Sequence, residues 1–177
     1  MMLLEAIYYF LPAYIANMVP PLFQWLPLLD TPLDFNKKFR GRRIFGSHKT
    51  IRGILLGSVF GILTIYVQKL LYNNQFFNSI SIINYSEQVL WLGFLLGFGA
   101  LFGDSVESFF KRRVNIAQGK PWFPFDQLDF VFGAFIFSFL IFIPSVKTLL
   151  IIIIITPIIH MSFHYAGYLF GINKDKI

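Results

Sequence analysis

Long runs without a charged residue constrain the fold of this chain more than any other feature. Residues 6–29 form one run of 24 uncharged residues, and residues 88–103 form another of 16. A helix needs about 20 apolar residues to cross a bilayer, where backbone polar groups must be satisfied within the helix. The chain is also 56% hydrophobic and 14% charged, with a mean hydropathy of +0.64. This composition is typical of an integral membrane protein.

The apolar runs predict an all-α polytopic membrane protein with about five transmembrane helices in a single domain, residues 1–177. We expect kinks or a break in the first span at Pro12, Pro20 and Pro21, and close helix packing in the second, which has glycines at i, i+4 and i+8. The length of the first run also favours a span over a cleaved signal peptide. The predicted spans lie within 6–29, at about 53–72, 88–110 and 130–146, and within 148–173.

Basic residues are concentrated in two of the predicted connections. Residues 36–52 hold seven of the fifteen lysines and arginines, and residues 111–120 hold four more. The connections 73–86 and 144–147 hold only Lys147 between them. The positive-inside rule therefore places both basic loops in the cytoplasm of a cell-membrane protein, with the N-terminus outside and the C-terminus cytoplasmic.

Charge also occurs at the end of the third predicted span. On a helix with 100° per residue, Asp104, Glu107, Ser108, Lys111 and Arg112 share one face. Carboxylates at a membrane boundary are costly and are retained mainly for function. The structural alternative is a set of interfacial ion pairs at helical spacing.

Two further carboxylates follow in the next connection, Asp126 and Asp129, which can share a helix face at i, i+3. Four carboxylates within 26 residues, beside two cations, suit a magnesium ion that also binds phosphate oxygens. The chain has no cysteine, which excludes disulfides, iron–sulfur clusters, thiol nucleophiles and cysteine-ligated zinc.

The first basic loop can contribute further phosphate-binding groups to a site of this kind. Residues 41–53 read GRRIFGSHKTIRG, in which Gly46 and Ser47 favour a tight turn with free N–H groups. The alternative is a positive anchor against anionic lipid headgroups. The cations that can neutralise a polyphosphate are Arg42, Arg43, Lys49 and Arg52.

Both segments resemble the membrane-bound CTP-dependent lipid cytidylyltransferases. The phosphatidate cytidylyltransferase pattern is G-D-x-x-x-S-x-x-K-R followed by D-R-x-D, and the chain departs from it at Gln127, where the pattern has arginine. Upstream, Arg52 stands where that family has glutamate. The matching residues are Gly103, Asp104, Ser108, Lys111, Arg112, Asp126 and Asp129.

A fuller resemblance is to the CDP-archaeol synthase family. It covers residues 8–23, 32–53, 103–129 and 156–160. The resemblance implies five spans and transfer of CMP from CTP to a membrane lipid phosphate, with release of pyrophosphate and a requirement for Mg²⁺. The family name alone implies the acceptor, unsaturated archaetidic acid (digeranylgeranylglyceryl phosphate).

Roles follow from this resemblance as hypotheses. Asp104, Asp126 and Asp129 would bind one or two magnesium ions, with Glu107 as a weaker candidate. Lys111 and Arg112 would hold the lipid phosphate or the pyrophosphate. The residues assigned to CTP are Ser47, Lys49, Thr50, Arg52 and Ser108.

Other functions stay open at this point. The chain could make CDP-diacylglycerol, or be a CTP-dependent polyprenol kinase, a small transporter lined by Asp104 and Glu107, or a lipid-binding scaffold without activity. A nucleic-acid partner is not predicted, and the sequence leaves the lipid tails, the number of metal ions and the oligomeric state undetermined. His160 and His164 lie at i, i+4 without a nearby carboxylate, so we expect them to pack or hydrogen-bond.

Overall fold

Helices account for most of the regular structure in the computed structural model. The model describes residues 1–87 and 89–169, without the side chains of 163, 164 and 166–169. A two-stranded antiparallel hairpin lies between the first two helices. The elements in chain order are α1 (Met2–Leu22), β1 (Lys38–Phe39), β2 (Arg42–Arg43), α2 (Ile51–Leu71), α3 (Gln75–Ser79), α4 (Leu90–Arg113), α5 (Phe125–Ser138) and α6 (Val146–Leu169).

Within the described ranges, three helices are long and apolar enough to cross a membrane, namely α1, α2 and α4. They correspond to the first three predicted spans. The apolar part of α6 covers Val146–Ser162, and α5 has 14 residues. At 1.5 Å per residue, α5 extends over about 21 Å, less than the roughly 30 Å hydrocarbon core. The protein is therefore helical, as predicted, and three of its described helices are long enough to span a membrane.

The fourth apolar segment differs from the prediction. It was expected at about 130–146, but α5 begins at Phe125, directly after Pro124, and ends at Ser138. Proline is favourable at a helix start, and Pro144 disfavours helical backbone at the residue before it. The first apolar segment was expected to be kinked or broken, and α1 continues through Pro12 but ends just after Pro20 and Pro21, within the run 6–29.

Buried aromatic residues of α1 form much of the core, packed against α4, α5 and α6. Two of them also make polar links between helices. The Tyr14 hydroxyl lies 2.7 Å from the Thr156 hydroxyl of α6, and the Tyr9 hydroxyl donates to Ser138 of α5 at 3.3 Å. Such links between helices are typical of bundles in lipid, where water cannot satisfy the hydroxyl groups.

Glycines allow α4 to contact α2 at backbone distance. Gly93 and Gly97 of α4 face Gly57 and Gly61 of α2, and a methyl group on Gly97 would lie 2.9 Å from the Gly57 carbonyl oxygen. The expected role of the α2 glycines in close helix packing is therefore confirmed for Gly57 and Gly61.

The opposite side of α4 packs equally closely against α5. A methyl group on Gly99 would lie 2.6 Å from the Gly133 carbonyl oxygen. One turn further along, a methyl group on Gly103 would lie 3.0 Å from the carbonyl carbon of Asp129 and would collide with its oxygen. This contact sets the position of Asp129 relative to the polar end of α4.

We predict that Gly103→Ala lowers stability, because the added methyl group meets the α5 backbone, which can yield only if the whole helix moves. Overpacking of this kind typically costs about 1–3 kcal/mol. Gly53→Ala is a matched control, since its methyl group would meet Pro20 at an ordinary 3.4 Å. Thermal unfolding in detergent should show a clearly lower midpoint for Gly103→Ala alone. Equal midpoints for the two variants would contradict the close α4–α5 packing.

Candidate active site

A cavity of about 680 Å³ opens at the polar end of the helix bundle. Its walls come from the end of α1, the loop before α2, the last turns of α4 and the start of α5. Arg113 does not line this cavity and lies at a second one instead. Arg42 and Arg43, which the sequence also offered as polyphosphate cations, do not line the first cavity either. The eleven residues to which the resemblance gave roles all line the first cavity: Ser47, Lys49, Thr50, Arg52, Asp104, Glu107, Ser108, Lys111, Arg112, Asp126 and Asp129.

Three carboxylates converge in the cavity. Oxygen atoms of Asp104, Glu107 and Asp129 all lie within 4.8 Å of one another. The first two lie one turn apart on α4, and the third lies on α5 beside Gly103. Glu107, the weaker candidate from sequence, is therefore part of the cluster. Like charges at this separation repel, so the cluster needs cations to neutralise it.

Lys49 supplies one of these cations from the loop before α2. Its Nζ atom lies 2.5 Å from Oδ2 of Asp104. Burial lowers the pKa of the Lys49 ammonium group, but the charges of Asp104, Asp129 and Glu107 outweigh burial and raise the pKa above its ordinary value. Lys49 is therefore held in its charged form against the carboxylates.

Lys111 supplies the second cation from the last turns of α4. Its Nζ atom lies 2.5 Å from Asp126 and 3.2 Å from Glu107. The Asp126 carboxylate also accepts a hydrogen bond from the Trp122 backbone N–H at 2.8 Å. Asp126 is thus joined to Glu107 both through Lys111 and by a side-chain hydrogen bond, but it is not one of the three carboxylates whose oxygen atoms all lie within 4.8 Å of one another.

Several residues assigned to a nucleotide already have partners within the protein. Arg52 lies 2.7 Å from Asp30 and donates to the carbonyl of Leu26, which ties the segment after α1 to the start of α2. The Thr50 hydroxyl oxygen accepts the Gly53 N–H at 3.2 Å and caps α2. Ser47 also has a partner within the protein, Gln118 of the loop after α4.

Gln118 donates to the Ser47 hydroxyl oxygen at 2.9 Å. This bond links the loop before α2 to the loop after α4. Gln118 was not among the residues expected from sequence, because an exposed glutamine in a loop has no distinguishing pattern. Gly46, beside Ser47, has a φ of 109°, which suits a turn, but its N–H group donates to Asp34 and is not free as expected.

Asp34 organises the loop that carries Ser47 and Lys49 to the cavity. Its buried carboxylate pairs with Arg43 at 2.6 Å and accepts the backbone N–H groups of Asn36, Phe45 and Gly46 at 3.0–3.2 Å. Burial alone would raise its pKa, but these partners outweigh burial and lower the pKa to about 2. Asp34 therefore pairs with a cation of its own loop and is not a solvated carboxylate.

The cavity also has a less polar wall, which extends toward the apolar part of the bundle. Asn17 of α1, Leu101 of α4 and His160 of α6 line it. His160 was expected to pack or to hydrogen-bond. The side chain of His164 lies outside the described residues, so its expected role is not addressed.

The sequence matches a family model described as CarS-like, CDP-archaeol synthase, over residues 1–176. The chain belongs to the CDP-archaeol synthase family. Among curated relatives with that name, the Methanocaldococcus jannaschii protein is 37% identical over 173 residues, which cover 97% of this chain and 96% of that protein. The Pyrococcus furiosus protein is 37% identical over 167 residues, covering 94% and 93%.

A solved structure supports the same family at the level of the fold. It is described as an intramembrane enzyme for archaeal membrane lipids biosynthesis, and it matches with a TM-score of 0.70 and 30% sequence identity. The match covers 94% of each chain. The helical arrangement around the cavity is therefore similar to that of a known intramembrane enzyme.

We predict that Asp34→Asn destabilises the loop before α2. The folded-state pKa of about 2 lies below the ordinary 3.8, so the contribution of Asp34 is complete above about pH 4 and is lost as the pH falls through 2. The shift corresponds to about 2 kcal/mol at neutral pH. Thermal unfolding should show a deficit for Asp34→Asn at pH 7 that shrinks toward pH 2.

The matched control is Asp30→Asn, which removes a carboxylate that is 59% exposed. Exposed ion pairs contribute little, so its effect should be below about 1 kcal/mol. A deficit for Asp34→Asn that equals the control, or that does not change with pH, would show that Asp34 does not hold the loop.

Proposed function

We propose that this chain transfers CMP from CTP to the phosphate of unsaturated archaetidic acid, forming the CDP-lipid and pyrophosphate. An oxygen of the lipid phosphate attacks the α-phosphorus of CTP, and the bond from that phosphorus to the oxygen bridging the β-phosphorus breaks. The observation that carries the proposal is a single cavity, in a member of this family, that combines clustered carboxylates with cations at the polar end of an apolar bundle.

Charge is the main barrier to this reaction. The lipid phosphate is already anionic at neutral pH and needs no strong general base, but it must approach a triphosphate. Lys49 and Lys111 lie in the cavity with their ammonium groups against carboxylates. Phosphate oxygens that enter compete for the same groups, and positioned cations stabilise charge that develops in the transition state. We assign Lys49 to the CTP phosphates, and Lys111 with Arg112 to the lipid phosphate or the pyrophosphate.

The start of α2 gives further support for a phosphate site. Ser47, Thr50 and Arg52 line the cavity where α2 begins, and the N–H groups of a helix N-terminus attract anions. Ser108 lines the cavity from α4. We therefore retain these four residues, with Lys49, as the proposed CTP contacts. Arg52 is paired with Asp30, so it must either exchange Asp30 for a phosphate group or act by positioning α2.

The carboxylate cluster fits Mg²⁺, which takes oxygen ligands and commonly binds one or two carboxylates together with substrate phosphates. Asp104, Glu107 and Asp129 would hold the ion. When bound, the ion neutralises phosphate charge and helps to orient the attacking and leaving oxygens. Asp126 lies against Lys111, so we assign it to positioning that lysine, although the sequence pattern also made it a candidate ligand.

The proposed topology has five spans in a single domain, with the N-terminus outside, the C-terminus inside and the cavity facing the cytoplasm of a cell membrane. Support comes from the basic loops at 36–52 and 111–120, which meet at the polar end of the bundle. A cytoplasmic cavity is also where a nucleotide in solution can meet a lipid phosphate.

The purified protein with CTP and Mg²⁺ tests the proposal when two acceptors are supplied in parallel, an ether-linked isoprenoid phosphate and a diacyl phosphate. We expect CDP-lipid and pyrophosphate in equal amounts with the ether-linked acceptor. If CDP-lipid forms only with the diacyl acceptor, the lipid substrate is a diacyl phosphate and not the ether-linked phosphate. CDP release without CDP-lipid would indicate a kinase, and the absence of any CDP-lipid would contradict the proposal.

Asp129→Asn serves as the site control in this assay, because it keeps the size of the side chain and removes one clustered charge. Loss of one electrostatic contribution typically lowers kcat by about 100-fold or more. Near-normal turnover in a folded Asp129→Asn variant would show that the carboxylate cluster does not contribute to the reaction.

A further inference from the structure

The seven basic residues of segment 36–52 divide into two sets. Three of them pair with carboxylates, namely Arg43 with Asp34, Lys49 with Asp104 and Arg52 with Asp30. The other four have no ion pair with a carboxylate in residues 1–87 or 89–169. All four are exposed, and they lie on or beside the hairpin: Lys37, Lys38, Arg40 and Arg42.

The hairpin that carries these four cations has a defined shape. Strands β1 and β2 pair with Lys38 opposite Arg43 and Phe39 opposite Arg42. Arg40 and Gly41 connect them with φ values of 51° and 79°. Two successive residues with positive φ are typical of a two-residue type I′ turn, whose twist matches that of the strands. The cations are thus presented on a folded element.

Arg113, the last residue of α4, holds the hairpin against the bundle. Its guanidinium group donates to the carbonyl oxygens of Phe39 at 2.7 Å and Arg43 at 2.6 Å. It also lies 5.3 Å from the Phe39 ring centre and 4.8 Å from that of Phe109, within the range of cation–π attraction. Arg42 donates in turn to the Arg112 carbonyl oxygen at 3.1 Å.

This attachment sets the depth of the hairpin in a membrane. The 24 residues of α4 extend over about 36 Å, and the hydrocarbon core is about 30 Å thick. The last turn of α4, and the hairpin bound to it, therefore lie at the level of the headgroups. Apolar side chains around the cations are exposed as well, and aromatic residues beside cations are typical of a membrane interface. They are Phe35 (61% exposed), Phe39 (48%), Phe110 (51%) and Val114 (54%).

A second cavity, of about 450 Å³, lies between the hairpin and α4. It shares no lining residue with the active-site cavity. Its lining includes three arginines and two phenylalanines, a combination that offers guanidinium donors to a phosphate and rings to the adjoining chain. The lining residues are Phe39, Arg40, Arg42, Phe109, Arg113 and Asn115.

We propose that this surface, the hairpin patch (Phe35, Lys37, Lys38, Phe39, Arg40 and Arg42), binds phosphate headgroups of anionic membrane lipids outside the catalytic cavity. Opposite charge at headgroup depth favours a lipid over a soluble anion as the occupant. The patch adjoins the segment that leads into the active site, so it concentrates anionic lipid beside that site. This second consequence rests on the proposed function, whereas headgroup binding does not.

Native mass spectrometry with dioleoylphosphatidylglycerol tests the binding directly. This probe is anionic, but its phosphate is a diester and cannot accept CMP. The variant Lys38→Gln/Arg40→Gln removes two hairpin charges, and the control Lys120→Gln/Lys147→Gln removes two exposed charges elsewhere. We expect the hairpin variant to bind the probe about 10-fold more weakly, with the control unchanged.

A second variant, Lys37→Gln/Lys38→Gln, leaves every contact of Arg40, Arg42 and Arg113 in place and should weaken binding in the same direction. Equal probe binding by the hairpin variants and the control would overturn the proposal. So would hairpin variants that lose CTP binding but retain the lipid, because the patch would then serve the nucleotide.

Turnover in lipid nanodiscs separates this proposal from the proposed function. The hairpin variants should raise KM for the lipid phosphate and leave kcat unchanged. If neither the parent protein nor any variant forms CDP-lipid, but the hairpin variants still bind the lipid probe more weakly than the control, the proposed function is wrong and the headgroup site is supported.

Discussion

The backbone of α4 contacts α2 on one side and α5 on the other, with glycines at both contacts. The candidate active-site cavity depends on this double contact. Lys49 lies just before α2 and Asp129 lies at the start of α5, so both reach the α4 carboxylates only because the three backbones approach closely. A side chain at Gly97 or Gly103 would force one of the outer helices away. The geometry of the charged groups is thus set by residues that carry no chemistry.

The same packing explains how the cavity tolerates its charges. Four carboxylates and two lysines occupy a small volume at the polar end of the bundle, and each lysine lies 2.5 Å from a carboxylate. Without a nucleotide, the two lysines offset half of the carboxylate charge, and the remaining charge favours binding of a cation. Ammonium groups that are already positioned need little rearrangement when phosphate oxygens replace carboxylates as their partners, and such preorganisation is the main source of electrostatic catalysis.

Helical periodicity and charge placement were sufficient to predict much of this arrangement. The spacing of Asp104, Glu107 and Lys111 put them on one face of a helix, and the structure confirms that they line one cavity. Glycine spacing in α2 predicted close packing, since small side chains leave room for a neighbouring backbone. The start of α5 was placed too late, because an apolar pattern does not show that a helix begins at Phe125.

Long-range pairing could not be predicted from the sequence. The position of Asp126 against Lys111 and Glu107 depends on how α5 meets α4, and a local pattern does not contain that information. Asp34 is likewise an ordinary loop carboxylate until the fold buries it against Arg43. The four hairpin cations, which have no carboxylate partner among the residues that the structure describes, became distinguishable only after the partners of the other three basic residues were known.

The most direct test of this account is the position of a metal ion in crystals grown with Mn²⁺ and a non-hydrolysable CTP analogue. The account predicts an anomalous peak within coordination distance of Asp104, Glu107 and Asp129, with Asp126 still beside Lys111. A peak coordinated by Asp126 but not by Glu107, or a nucleotide bound away from Lys49, would contradict it.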